Sequence, residues 1–221
     1  MKSDTSIMRY SDFIAFCSVK RFAAAVCFFF IGVFGLVGTL AANEAAISQV
    51  EKFHDVLLST MKEAKSLGVS GRYQKLEVIL PEVFHLKAMI QISSGSFWQK
   101  SSELDRDQLT DAFTRLTIAT YASQFDGYSG QVFTTSGVKP GPQKTTLVET
   151  VLTTPGSSGV ALTYVMREVK GQWRVIDVLL DTGISELARK RSEYRQILKI
   201  SGTAGLIKIL KAKTNSLLAN N

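Results

Sequence analysis

The sequence predicts an α+β fold, an antiparallel sheet packed with helices, and three observations carry that expectation. Apolar residues recur at helical spacing from Ile47 to about Ser123, four short β-branched stretches follow as far as Asp181, and helical spacing returns from Ser185. The turns between the β stretches, "KPGPQK", "PGSSG" and "KGQ", are short enough to favour antiparallel neighbours. With 221 residues, 45% of them hydrophobic, the chain can bury a real core.

The first forty residues stand apart. From Phe22 to Ala42 runs "FAAAVCFFFIGVFGLVGTLAA", uncharged and preceded by Lys20 and Arg21. Small residues at Thr39 and Ala41 make a cleavage site after Ala41, so residues 1–41 read as a signal peptide. The same run is long enough to stay as an uncleaved membrane anchor. Either way the remainder is exported.

Both cysteines, Cys17 and Cys27, lie at or before that run, so residues 42–221 can form neither a disulfide nor a thiolate metal site. The two histidines, His54 and His85, fall in different helices, which argues against a metal centre, and no cofactor is expected. Net charge is +7, and because residues 1–41 hold four basic and two acidic side chains the rest keeps +5. That balance suits an anionic membrane surface or partner, and no nucleic-acid-binding motif accompanies it.

Residues 42–126 are mainly helical. Ile47, Val50, Phe53 (with His54), Leu57, Leu58 and Met61 share one face of a first amphipathic helix that ends near Gly68. A second stretch, "GRYQKLEVILPEVFHLKAMIQIS", carries Pro81, which should kink it or split it in two, and Gly95 ends it. Asp105 and Gln108 resemble a capping box for a third helix whose face is Leu109, Phe113, Leu116, Ala119 or Thr120, and Ala122 or Ser123.

Residues 127–182 form the four-stranded meander. "GVALTYVMREVK" puts Val160, Leu162, Tyr164 and Met166 on one face and Ala161, Thr163, Val165 and Arg167 on the other. "QWRVIDVLLD" puts Trp173, Val175 and Leu179 on one face and Ile176, Val178 and Leu180 on the other. Two neighbouring strands apolar on both sides call for cover on both. Residues 183–212 complete the fold with two C-terminal helices.

Chemistry-bearing residues are few. Asp177 could act as a desolvated general base, or it could pair with Arg174 or Arg167 or be hydrogen-bonded at the sheet margin. Ser185 lacks a G-x-S-x-G elbow and fits the start of a helix better than a nucleophile. The run "ARKRSEYR", with Arg189, Lys190, Arg191 and Arg195, reads as a solvated helix face or, functionally, as a dock for acidic protein or lipid headgroups.

One ordered set of residues spans about 45 to 212: Leu80-Pro81 with Phe84, Gly95 with Trp98, Phe113, Thr120-Tyr121, Trp173 with Asp177, Gly183-Ile184-Ser185, Tyr194, and Gly205-Leu206-Ile207 with Leu210. In that order they resemble the MlaC-type family of periplasmic lipid carriers, and most of all its hopanoid-associated HpnM branch. The resemblance implies an NTF2-like sheet joined to a helical subdomain that shares a lipid cavity. It implies a monomeric, non-enzymatic carrier of phospholipid or hopanoid, working with an inner-membrane ABC-type lipid transport complex and an outer-membrane partner.

The cavity expected from this reading is a tail-binding slot between helices 2 and 3 and one sheet face. Its lining would be Phe84, Met89, Phe113, Leu116, Tyr121, Leu162, Tyr164, Met166, Val175 and Val178. Two other functions stay open from the residues alone. One is an NTF2-like enzyme using Asp177 as base; the other is a non-catalytic periplasmic module recruited through the basic C-terminal helices.

Overall fold

The computed structural model describes residues 36–181 and 183–219, with side chains from residue 43 on. Most of the expected signal segment therefore lies outside the described residues. Its last part, residues 36–41, lies in the first turns of helix α1 (Leu36–Lys62). Among the described residues, no helix is long and apolar enough to cross a membrane.

Helix α1 is followed by α2 (Ala64–Val83), α3 (Leu86–Ser94), the short α4 (Ser96–Lys100) and α5 (Glu103–Gln124). Gly68 marks a kink inside α2 instead of the end of α1, with φ of 58° that glycine adopts at little cost. The carbonyl of Ala64, near that kink, accepts from Arg72 Nη1 at 3.0 Å. Arg72 Nε also donates to the Ala122 carbonyl at 2.7 Å, so one buried guanidinium ties α2 to the end of α5.

Pro81 sits in the last turn of α2, and the second helical stretch splits three residues later, as its sequence predicts. The break is used. Phe84 leaves the helix in an extended conformation and bridges Val175 in parallel, while His85 N–H donates to the Val175 carbonyl at 2.8 Å. Helix α5 starts earlier than the Asp105–Gln108 pattern predicts. Ser102 is its N-cap; the hydroxyl accepts from Asp105 N–H at 3.1 Å and donates to the Asp105 carboxylate at 2.7 Å.

The sheet has five strands where four are expected. Strands β1 (Val132–Pro140), β2 (Thr146–Thr153), β3 (Val160–Val169), β4 (Gln172–Leu180) and the two-residue β5 (Ile184–Ser185) run in sequential antiparallel order. Helix α6 (Glu186–Ala219) follows, with Gly202 in a non-helical conformation that divides it much as the two-helix expectation requires. It packs chiefly on α5 and α3.

The register explains why β4 looks apolar on both sides. Tyr164 pairs with Val178, Val165 with Asp177, and Met166 with Val175, which leaves Ile176 as an extra residue. A bulge of that kind shifts the side-chain alternation by one. Val175 before it and Val178 after it consequently share the face of Tyr164 and Met166, contrary to strict period two. The inner face thus collects Val148, Leu162, Tyr164, Met166, Val175, Val178 and Leu180 in one hydrophobic core with the helices. The opposite face carries Leu147, Thr163, Val165, Arg167, Asp177 and Leu179, all half-buried.

Candidate functional site

The inner sheet face meets the helices around an aromatic cluster. Phe53, on the buried stripe of α1, is its hub: its ring centre lies 5.2 Å from Phe84, 5.5 Å from Tyr121 and 6.5 Å from Tyr164, all nearly edge-on. Edge-to-face aromatic packing of this kind adds to simple area burial. Phe84 reaches Tyr121 directly at 6.0 Å, and Tyr121 stacks on Phe125. The one-residue bridge to Val175 is what points Phe84 here, so Pro81 acts on the site through the helix break it enforces.

His54 is the polar member. Its ring stacks on Phe133 of β1 at 3.9 Å, and its Nε2 shares a 2.9 Å hydrogen bond with the Tyr164 hydroxyl. Burial pushes the imidazole pKa down to about 4, so it is neutral at neutral pH. Burial likewise raises the pKa of both Tyr121 and Tyr164, which keeps the phenols protonated. Every titratable group in the cluster is uncharged near pH 7. The interior therefore holds no ion that an apolar group would have to desolvate.

The residues expected to line a slot all join this interior. Phe84, Met89, Phe113, Leu116, Tyr164, Met166, Val175 and Val178 are buried, and Tyr121 and Leu162 are partly buried against the same core. Together with Phe53, the residues Phe84, Tyr121, Tyr164, Met166, Val175 and Val178 form one connected group through ring contacts and β pairing. Phe113 and Leu116 extend it along α5 toward α6, and Met89 contributes from α3. A cavity of about 240 Å³ lies elsewhere, lined by Phe97, Lys100, Ser101, Asp105 and residues 201–204. None of the ten lines it.

The spacing places Phe53, with His54, on the core face of the first helix, but it does not show what either side chain meets there. His54 falls four residues after Val50 and three before Leu57, inside an otherwise apolar stripe. Among the described residues no group of three or more His, Cys, Asp or Glu side chains could hold a metal ion.

Asp177 is not paired with an arginine. Its Oδ1 accepts from Val178 N–H at 2.8 Å and Leu187 N–H at 3.1 Å, and its Oδ2 accepts from the Ser185 hydroxyl at 2.5 Å. Ser185 Oγ in turn accepts from Ala188 N–H at 2.9 Å, so the helix-start role read from its sequence is the one it has. Arg174 donates instead to the Pro81 carbonyl at 2.8 Å. The carboxylate fastens β4 to the first turn of α6, where the helix dipole favours negative charge.

Residues 51–212 match the family model described as MlaC protein. Among solved structures, the chain is similar to a phospholipid-binding protein from Ralstonia solanacearum that was solved in complex with a phospholipid. The two share 21% sequence identity with a TM-score of 0.68, over 78% of this chain and 98% of that one. At that identity the likeness establishes the fold. A comparison with curated proteins finds no match.

Proposed function

Because the chain belongs to the MlaC family, we propose that it is a periplasmic lipid carrier that takes the apolar part of a phospholipid or hopanoid between its helices and its sheet. The observation that carries this reading is the neutral aromatic and aliphatic interior built by Phe53, Phe84, Tyr121, Tyr164 and the inner sheet face. The solved relative in complex with a phospholipid supports the same ligand class.

The slot is formed by the ten residues Phe84, Met89, Phe113, Leu116, Tyr121, Leu162, Tyr164, Met166, Val175 and Val178. In the described conformation these side chains pack on one another, so a lipid tail enters by parting α2, α3 and α5 from the sheet. Each methylene taken out of water returns about 0.8 kcal/mol, enough over a long chain to offset separating these contacts. Reversibility follows from the same balance, since closure of the protein on itself competes with the lipid.

In this role the carrier is exported to the periplasm and exchanges cargo with an inner-membrane ABC-type transport complex and an outer-membrane acceptor, working as a monomer. Catalysis is not part of the reading. The carboxylate that could have served as a base is held by three donors at a strand–helix junction.

Native mass spectrometry of the protein purified from its source, followed by organic extraction, tests the proposal. A lipid adduct of phospholipid or hopanoid mass is expected. A protein that purifies lipid-free and takes up neither lipid from vesicles would refute it.

A further inference from the structure

The basic run on α6 contains one cation at the edge of the helix's buried stripe, the half-buried Lys190. Lys190 comes three residues after Leu187 and four before Tyr194, and both of those are buried. Helical geometry therefore puts Lys190 along the apolar stripe of α6, unlike its neighbours Arg189 and Arg191, which are exposed. Its Nζ lies 5.9 Å from the ring centre of Phe113, a residue only 1% exposed on α5.

The acids of its own helix are engaged elsewhere. Glu186 holds Arg189 through contacts of 2.8 and 3.2 Å, and Glu193 pairs with Lys213. Among the described residues Lys190 forms no ion pair and no hydrogen bond. Burial lowers its pKa below the ordinary lysine value, with Arg189 and Lys213 acting the same way and Glu186 and Glu193 opposing. The cation–π contact offsets only part of the cost of withdrawing the ammonium partly from water. The stem covers apolar surface as methionine would, and the charge beside Phe113 is what lysine adds at this position.

Phe113 and Leu116 belong to the slot proposed above, which places Lys190 at its α5–α6 rim. We propose that Lys190 is the headgroup anchor of the carrier, its ammonium pairing with the phosphate of a phospholipid whose tails lie beyond Phe113. This rests on the carrier reading and narrows it, because a neutral polycyclic lipid offers no phosphate to pair with. Arg189 and Arg191 on either side add positive potential where the headgroup would emerge.

Binding of phosphatidylglycerol and of diacylglycerol with the same tails, measured by fluorescence titration on the full exported chain, tests the assignment. Wild type should prefer phosphatidylglycerol. Lys190→Met, which keeps the apolar stem, should lower that preference by about tenfold or more, and Lys190→Arg should keep it. Lys190→Gln serves in the same comparison if the methionine variant does not fold.

An unchanged preference in the charge-removed variant would overturn the headgroup role while leaving the carrier reading in place. Wild-type failure to bind either lipid would overturn both. Calorimetric titration with inorganic phosphate alone should give no saturable heat. Saturable binding abolished by Lys190→Met would assign a free anion and overturn the lipid assignment.

Discussion

Lowering the pH should destabilise this protein through His54, by an amount that follows from its burial. The side chain is 4% exposed, and its pKa falls from 6.5 to about 4 on folding. As pH drops below the unfolded value the unfolded chain takes up a proton that the folded chain refuses until about pH 4. The stability this neutral histidine permits is therefore complete above pH 6.5 and is lost progressively between 6.5 and 4.

Two and a half units correspond to about 3 kcal/mol in full, and to about 2 kcal/mol between pH 7.5 and 5.0. His54→Gln keeps a donor for the Tyr164 hydroxyl but cannot titrate. It should cost about 1 kcal/mol at pH 7.5, from the weakened stack on Phe133, yet lose about 2 kcal/mol less than wild type on going to pH 5.0. His85, whose pKa burial also lowers, acts in the same direction in both proteins and cancels in the comparison. Urea unfolding followed by the fluorescence of Trp98 and Trp173 measures all four stabilities. Equal losses in wild type and variant would refute the reasoning, because the imidazole would then not be excluded from protonation in the folded state.

Two further perturbations probe the contacts that hold the site in place. Asp177→Ala removes the acceptor for three donors at the junction of β4 and α6. It should destabilise by about 2–4 kcal/mol in thermal or urea unfolding, with Asp177→Asn costing about half as much; an unchanged midpoint would contradict the fastening role. Arg72→Met should leave the Ala64 and Ala122 carbonyls without their buried donor. A loss of about 2–4 kcal/mol is expected, with faster amide exchange near Gly68 and at the end of α5, and exchange unchanged in both places would count against the tie.

The amphipathic helices were readable because a stripe of apolar residues at helical spacing has one good solution, burial against a partner. The α+β order, the break after Pro81 and the helix-start role of Ser185 followed from local chemistry in the same way. Asp177 did not. Of the alternatives its sequence leaves open, hydrogen bonding at the sheet margin is the one it has, but two of its three donors, the Ser185 hydroxyl and Leu187 N–H, come within reach only when β5 turns the chain back along β4, and proximity to Arg174 does not reveal them. The capping box was misplaced for a smaller reason: Ser102 and Asp105 satisfy the same pattern three residues earlier.

By itself the sequence determined the element order, the residue types available for a core and the resemblance that names the family, since these depend on spacing and composition along the chain. Tertiary structure alone decided the bulge at Ile176, which turns two half-apolar faces into one continuous inner face. It also decided that Phe53 and His54 from α1 meet Phe84, Tyr121 and Tyr164. Both outcomes are matters of strand register and of contacts between residues far apart in the chain, which no local pattern specifies.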